Sequence, residues 1–405
     1  MKPVNTPFAT RWLMIAALAF VAACDDSAPL SPRARSRADV AVDPSRTTAT
    51  ATWSQVARDL VRTRQSNAFQ AVRNYATLNL AQYNAVIAAD RGANGGRLSQ
   101  RAAVAAASAV ALAYLYPSDA GALEMLVQQQ INTPGWLEEG VIDVAASLAV
   151  GRAEGEQVVA RAKTDRMFDP WTGSVPAGPG IWYSSATPPA PPGGAAFGGA
   201  KTFFLESGAQ FRPGAPPAFG SSGFNTALAE VRTYSDTRTA EQDSLAKYWA
   251  LPTGTFTVSG WWNREAATLA AAHALDERRT AHLLALASMT TFDALIACND
   301  AKYISWLLRP TQADPAIKLA IGLPNFPSFP SNTACISSAE SEIIGALIPS
   351  ERDRLRALAD ESAHSRIFAG IHYRFDGEVG LALGRRVARH ALENDVRGHD
   401  RFHLR

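Results

Sequence analysis

The chain has 405 residues, enough for one large domain or two modest ones. Its residues are 47% hydrophobic with Ala very frequent, a balance that favours a helical globular protein. The net charge of +2 lacks the basic excess that nucleic-acid binding needs, so that partner is not expected.

In chain order, residues 1–24 read as a targeting segment. Lys2 and Arg11 give a basic start, and the apolar run from Trp12 to Ala23 is short for a bilayer span. It closes on Val21-Ala22-Ala23-Cys24, which resembles the bacterial lipoprotein box, where the Cys is lipidated and becomes the mature N-terminus. That resemblance implies a protein exported across the inner membrane, periplasmic or at the cell surface, touching a membrane only through a lipid on Cys24. Asp25 and Asp26 resemble an inner-membrane retention mark. Residues 25–50, rich in Ser, Pro, Arg, Ala and Thr, are expected to form a disordered tether.

The remainder, 51–405, is expected to be one all-α domain: N-terminal helices and a long loop over 51–260, then a second half over 261–405. No later apolar run reads as a transmembrane helix. Apolar residues at three- and four-residue intervals predict helix over 53–90, 101–116 (stopping at Pro117), 119–132 and 137–165. Residues 168–222 are dense in Gly and Pro, with Trp171, Trp182, Tyr183, Phe197, Phe203, Phe204, Phe211 and Phe219 among them. A loop of that length is uncommon and often functional, so it is either a wrap over the bundle or a wall of a substrate entrance. Helical patterns return at 224–250 and 260–310, near Ser331, near Pro349-Ser350, and from about Ile371 to Glu393. Cys298 and Cys335 read as small buried hydrophobes, a disulfide being the alternative.

Three short segments carry chemistry. Lys302 and Arg309 stand seven apart, two turns on one helix face if the helix continues to Pro310. Ser331, after Phe329-Pro330, is a good N-cap, and the first-turn amides of the helix it opens favour an anion. Arg366 and His372 stand six apart with Gly370 between them to turn the chain. His372 and Asp376 stand four apart, which on a helix lets the carboxylate take an imidazole N–H and fix its tautomer.

Taken together, these pieces resemble the signature of the type 2 phosphatidic acid phosphatase and vanadium haloperoxidase superfamily. That signature is Lys, six residues, Arg-Pro; then Pro-Ser-Gly-His; then Ser-Arg, five residues, His, three residues, Asp. The first and third pieces match at every specified position, and the middle one matches as Pro330-Ser331. Arg73 to Ala85, Glu230-Val-Arg232 and Arg238 to Gln242 are similar to the longer secreted, haloperoxidase-like bacterial members.

The resemblance implies packed four-helix bundles. It also implies that Lys302, Arg309 and Arg366 hold the oxygens of vanadate or phosphate, with the Ser331 hydroxyl and the amide of Asn332 as further donors. His372 would bond vanadium or attack phosphorus, and Asp376 would orient it. Elementary electrostatics agrees, since two unit charges about 4 Å apart repel by roughly 4 kcal/mol at an effective dielectric near 20, so three converging cations need an anion.

The departure lies at Asn332-Thr333, where the superfamily has Gly-His. Asn tolerates positive φ, but the Thr333 hydroxyl does not titrate near neutral pH and cannot serve as the acid. His364, next to Ser365, is a candidate substitute, though it reads as a surface residue. Three functions follow: a vanadate enzyme using peroxide to oxidise halide or an organic substrate; a phosphomonoesterase working through a phospho-histidine; or an oxyanion-binding lipoprotein with impaired catalysis.

Overall fold

Thr48, in extended backbone, accepts the Ala51 amide on its side chain and opens α1 (Ala49–Thr63). Buried Glu277 adds a second cap from far along the chain, its carboxylate accepting the amides of Ala49 and Thr50 and the Thr50 hydroxyl at 2.7–2.8 Å. This long-range cap starts the helix four residues before Trp53, inside the expected tether. The computed structural model describes residues 47–92 and 97–402. The expected signal segment, Cys24 and the tether before residue 47 lie outside the described residues.

Asn67 and Gln70 form a capping box at the head of α2 (Ala68–Arg91). α3 (Gln100–Leu115) stops two residues before Pro117, as its sequence predicts, and α4 (Ala120–Ile131) and α5 (Val144–Ala162) follow. After the long loop come α6 (Ser222–Thr237), α7 (Ala240–Tyr248), α8 (Thr257–Ala272) and α9 (Glu277–Ser305). The short α10 (Pro310–Ala313), α11 (Asn332–Leu347), α12 (Arg352–Phe368) and α13 (Arg374–Glu393) complete the order. Among the described residues the only β-type pairings are isolated bridges, so the fold is all-α.

α9 is the axis of the molecule, packed by α2, α8, α11 and α13. It is long and apolar enough to cross a membrane, contrary to the sequence reading, yet its apolar stretch is wholly buried inside this helical assembly. Its side chains are the core on which the other helices close.

The loop between α5 and α6 is pinned to that axis. Asp293 of α9 accepts the amides of Phe203, Phe204 and Leu205, and Arg161 donates to Lys201 O and Thr202 O while lying 3.7 Å from the Phe203 ring centroid. Phe197 packs on Phe69 and Phe292. The loop thus wraps the bundle, with Trp182, Phe197 and Phe204 buried and Tyr183 and Phe219 exposed.

Candidate functional site

α9 does not run on to Pro310. It ends at Ser305, Trp306 turns left-handed (φ 49°), and Leu307 bridges to Ile181 of the long loop. Trp182 N donates to Trp306 O and Leu308 N to Gly180 O, so the loop pulls the chain out of helix. Arg309 then stands in extended backbone before α10, and Pro310 opens that helix as its first residue instead of ending the previous one. Lys302 and Arg309 therefore meet across a turn, not along one helix face. Both lie over the ring of Phe326, at 5.3 and 5.0 Å from its centroid.

The segment 326–331 forms the floor of the site. Lys302 Nζ donates to the carbonyls of Pro327 (2.9 Å), Ser328 (3.1 Å) and Pro330 (2.5 Å), which uses all three of its protons. Lys302 is fully buried, and here it serves as the brace of this turn as well as a charge. Ser331 caps α11 as expected, accepting the Ala334 amide, and its own amide donates to Asp376 O. The amides of Asn332 and Thr333 open the helix and have no intrahelical acceptor.

Between α12 and α13 the chain reverses at Gly370, whose φ of +80° a side chain would strain. That reversal brings Arg366, near the end of α12, beside His372. His372 itself precedes α13, so its pairing with Asp376 comes from the helix cap rather than from helical spacing. Asp376 Oδ2 accepts from His372 Nδ1 (2.8 Å), the Tyr373 amide (3.1 Å) and the Ser328 hydroxyl (2.5 Å). With Nδ1 donating, Nε2 keeps its lone pair and faces Arg309 Nη1 at 3.0 Å.

Burial above all pushes His372 well below its ordinary value, and the charges of Arg309, Lys302 and Arg366 push it further. The imidazole is neutral in this setting. Burial brings Arg309 down to about 10 and Arg366 to about 9. It brings Lys302 down to about 8, and raises Asp376 to about 6. Arg309 also donates to Ile371 O and Phe326 O, but its Nη2 is buried without a partner, as are Asp376 Oδ1 and Asn332 Oδ1. Three buried cations thus gather around a single carboxylate and a neutral imidazole.

Hydrogen bonds bring Lys302, Arg309, Ser331, His372 and Asp376 to one place, with Asn332 next to Ser331 at the head of α11; the Arg366 guanidinium, bonded to Ser365 Oγ and Ala246 O, is near enough for its charge to act on His372. Thr333 sits in the first turn of α11, half-buried. His364 is exposed, bonded to Asp360 O and Arg374, and does not supply the missing acid. Cys298 and Cys335 are free, buried thiols. Sequence reasoning missed Phe326 and Ser328, which sit in a Pro-rich run that signals only a turn. Among the described residues no three His, Cys, Asp or Glu side chains gather to hold a metal cation. The donor set suits a tetrahedral oxyanion: an orphaned guanidinium nitrogen, helix-terminal amides and an imidazole lone pair.

No family model matches the chain, and no curated protein matches it by sequence. Solved structures do match. One described as the first bacterial vanadium-dependent iodoperoxidase aligns over 87% of this chain and 97% of its own, with a TM-score of 0.74 and 22% identity. The holo and apo forms of a bacterial vanadium-dependent chloroperoxidase align over 81% of this chain and 92–93% of theirs, with TM-scores of 0.66 and 0.65 and 13% identity. The chain has the all-helical fold of these haloperoxidases.

Proposed function

We propose that the protein is a haloperoxidase-like enzyme that binds vanadate and uses hydrogen peroxide to oxidise halide or an organic substrate. The observation that carries this reading is the buried trio Lys302, Arg309 and Arg366 around the unprotonated Nε2 of His372, on a fold shared with vanadium-dependent peroxidases. Arg309 and Arg366 would hold oxygens of the anion, Lys302 would add charge from behind the turn, and the Ser331 hydroxyl and the Asn332 amide would donate from the head of α11. His372 Nε2 would be the protein's ligand to vanadium. Bound there, vanadate supplies a Lewis-acid centre that activates peroxide.

The chain's own part is electrostatic. Fixed donors in a water-poor site stabilise negative charge as it develops, without reorganising at the moment of reaction. Asp376 keeps the His372 proton on Nδ1. Thr333 brings no titrating group, so turnover is expected to be slow, because acid–base help is typically worth about 10² to 10⁴ in rate.

The test is vanadate-dependent oxidation of iodide and bromide by purified protein with peroxide, alongside hydrolysis of p-nitrophenyl phosphate. Halide oxidation that needs vanadate supports the proposal. Phosphate-ester hydrolysis blocked by vanadate would replace it with the phosphatase reading, and anion binding with neither activity would replace it with the impaired one. We further propose, from Val21-Ala22-Ala23-Cys24 alone, that Cys24 carries a lipid anchor. Palmitate labelling in an expressing bacterium should be lost in Cys24→Ala, and persistent labelling would refute the anchor.

A further inference from the structure

Ser328 sits outside every piece of the sequence signature, yet four interactions hold it in place. Its amide donates to Leu307 O, and its carbonyl accepts from Lys302. Its hydroxyl donates to Asp376 Oδ2 at 2.5 Å and lies 3.5 Å from His372 Nδ1. It is fully buried.

The three donors on Asp376 all converge on one oxygen. Oδ2 takes the serine hydroxyl, the imidazole N–H and the Tyr373 amide, while Oδ1 has no partner. A carboxylate held by a single ligand can rotate about its Cβ–Cγ bond and exchange its two oxygens. Donors from three directions fix which oxygen faces the imidazole. Ser328 is the only one of the three that comes from outside the 372–376 segment, and the Lys302 brace sets its position.

We infer that Ser328 is a positioning residue: its hydroxyl locks the Asp376 carboxylate in the orientation that holds the His372 proton on Nδ1 and keeps Nε2 unprotonated, its lone pair directed to the anion site. Donors of this outer kind typically change anion or metal affinity by about 10- to 100-fold. The affinity arm rests on the vanadate reading; the tautomer arm stands without it.

The experiment uses the full chain labelled with ¹⁵N-histidine, with the His372 signals assigned by loss in His372→Ala. Wild type should show the Nδ1–H tautomer, S328A a mixture of tautomers, and S328T a return toward wild type. Orthovanadate titration should weaken about tenfold in S328A and recover in S328T. Should S328A not fold, S328C keeps the volume and replaces the hydroxyl with a weak donor, and an intermediate tautomer population is expected. An S328A or S328C spectrum identical to wild type overturns the inference, as does an Nε2–H imidazole in wild type. Absence of orthovanadate binding in wild type would instead count against the proposed function, leaving the tautomer result to decide the role of Ser328.

Discussion

Arg73 and Arg309 are both buried guanidiniums, and their surroundings differ in kind. Arg73 meets Asp165 at 2.5 Å and the Tyr114 hydroxyl at 3.1 Å; burial pulls its pKa down, but these bonds more than offset that and raise it. Arg309 meets carbonyls and an imidazole, has no carboxylate bonded to it, and is brought down to about 10. In the scaffold, Glu277 and Asp293 each take three hydrogen bonds, and Glu265 pairs with Arg354. At the site, three cations face one carboxylate. Buried charge is expensive unless paired, and single buried guanidiniums elsewhere, such as Arg58 and Arg161, are likewise bonded to neutral oxygens; what marks the site is that three buried cations act together on one imidazole, an arrangement suited to an anion.

Substitutions in the two regions should therefore fail differently. His372→Ala should cost at least about 10³-fold in vanadate-dependent turnover, as losses of central catalytic groups do. Its melting temperature should stay close to wild type, because a neutral imidazole is removed from beside cations; a collapse in stability would break the comparison. Thr333→His should act in the opposite direction and raise turnover by up to about 10²-fold if the missing acid is limiting. No gain would show that something other than proton delivery limits the rate.

On the scaffold side, Asp293→Ala leaves three amides of the long loop without an acceptor and should cost about 3 kcal/mol or more in urea unfolding, at about 1–3 kcal/mol per orphaned buried group. Glu277→Ala should cost about 1–2 kcal/mol through the lost cap of α1. An activity defect in either without loss of stability would contradict the division between regions.

The smallest effect expected is a pH dependence. Burial lowers Lys302 to about 8, so its charge is present below that pH and lost above it. Orthophosphate affinity measured by calorimetry should fall as pH rises from about 8 to 9.5, where the ligand stays a dianion while Lys302 loses its charge. An affinity that rises over that range would mean that Lys302 does not contribute its charge.

Much of this was legible in the sequence, for physical reasons. Most helices lie where their local signals put them, although α5 starts at Val144 rather than near 137 and the 224–250 stretch breaks into α6 and α7; Pro117, Ser331 and Gly370 read correctly as a stop, a cap and a reversal. Several of the errors come from contacts between residues distant in sequence. Glu277 starts α1 early, and nothing near Ala49 announces it. Leu307 and Leu308 continue the helical period of α9, so only the pairing of Gly180 and Trp182 with that stretch shows why the helix ends. His372 and Asp376 are bonded as expected, but through the cap of α13. Ser328 could not be singled out, because its partners lie 44 and 48 residues away.

The most direct test is calorimetric titration of orthovanadate into the wild-type protein and into Arg309→Ala and His372→Ala variants that retain the wild-type circular dichroism. The account predicts a single saturable site in the wild type, weakened sharply by either substitution. Saturable binding that is indifferent to both, or no binding by the intact protein, would contradict an anion site formed by these residues.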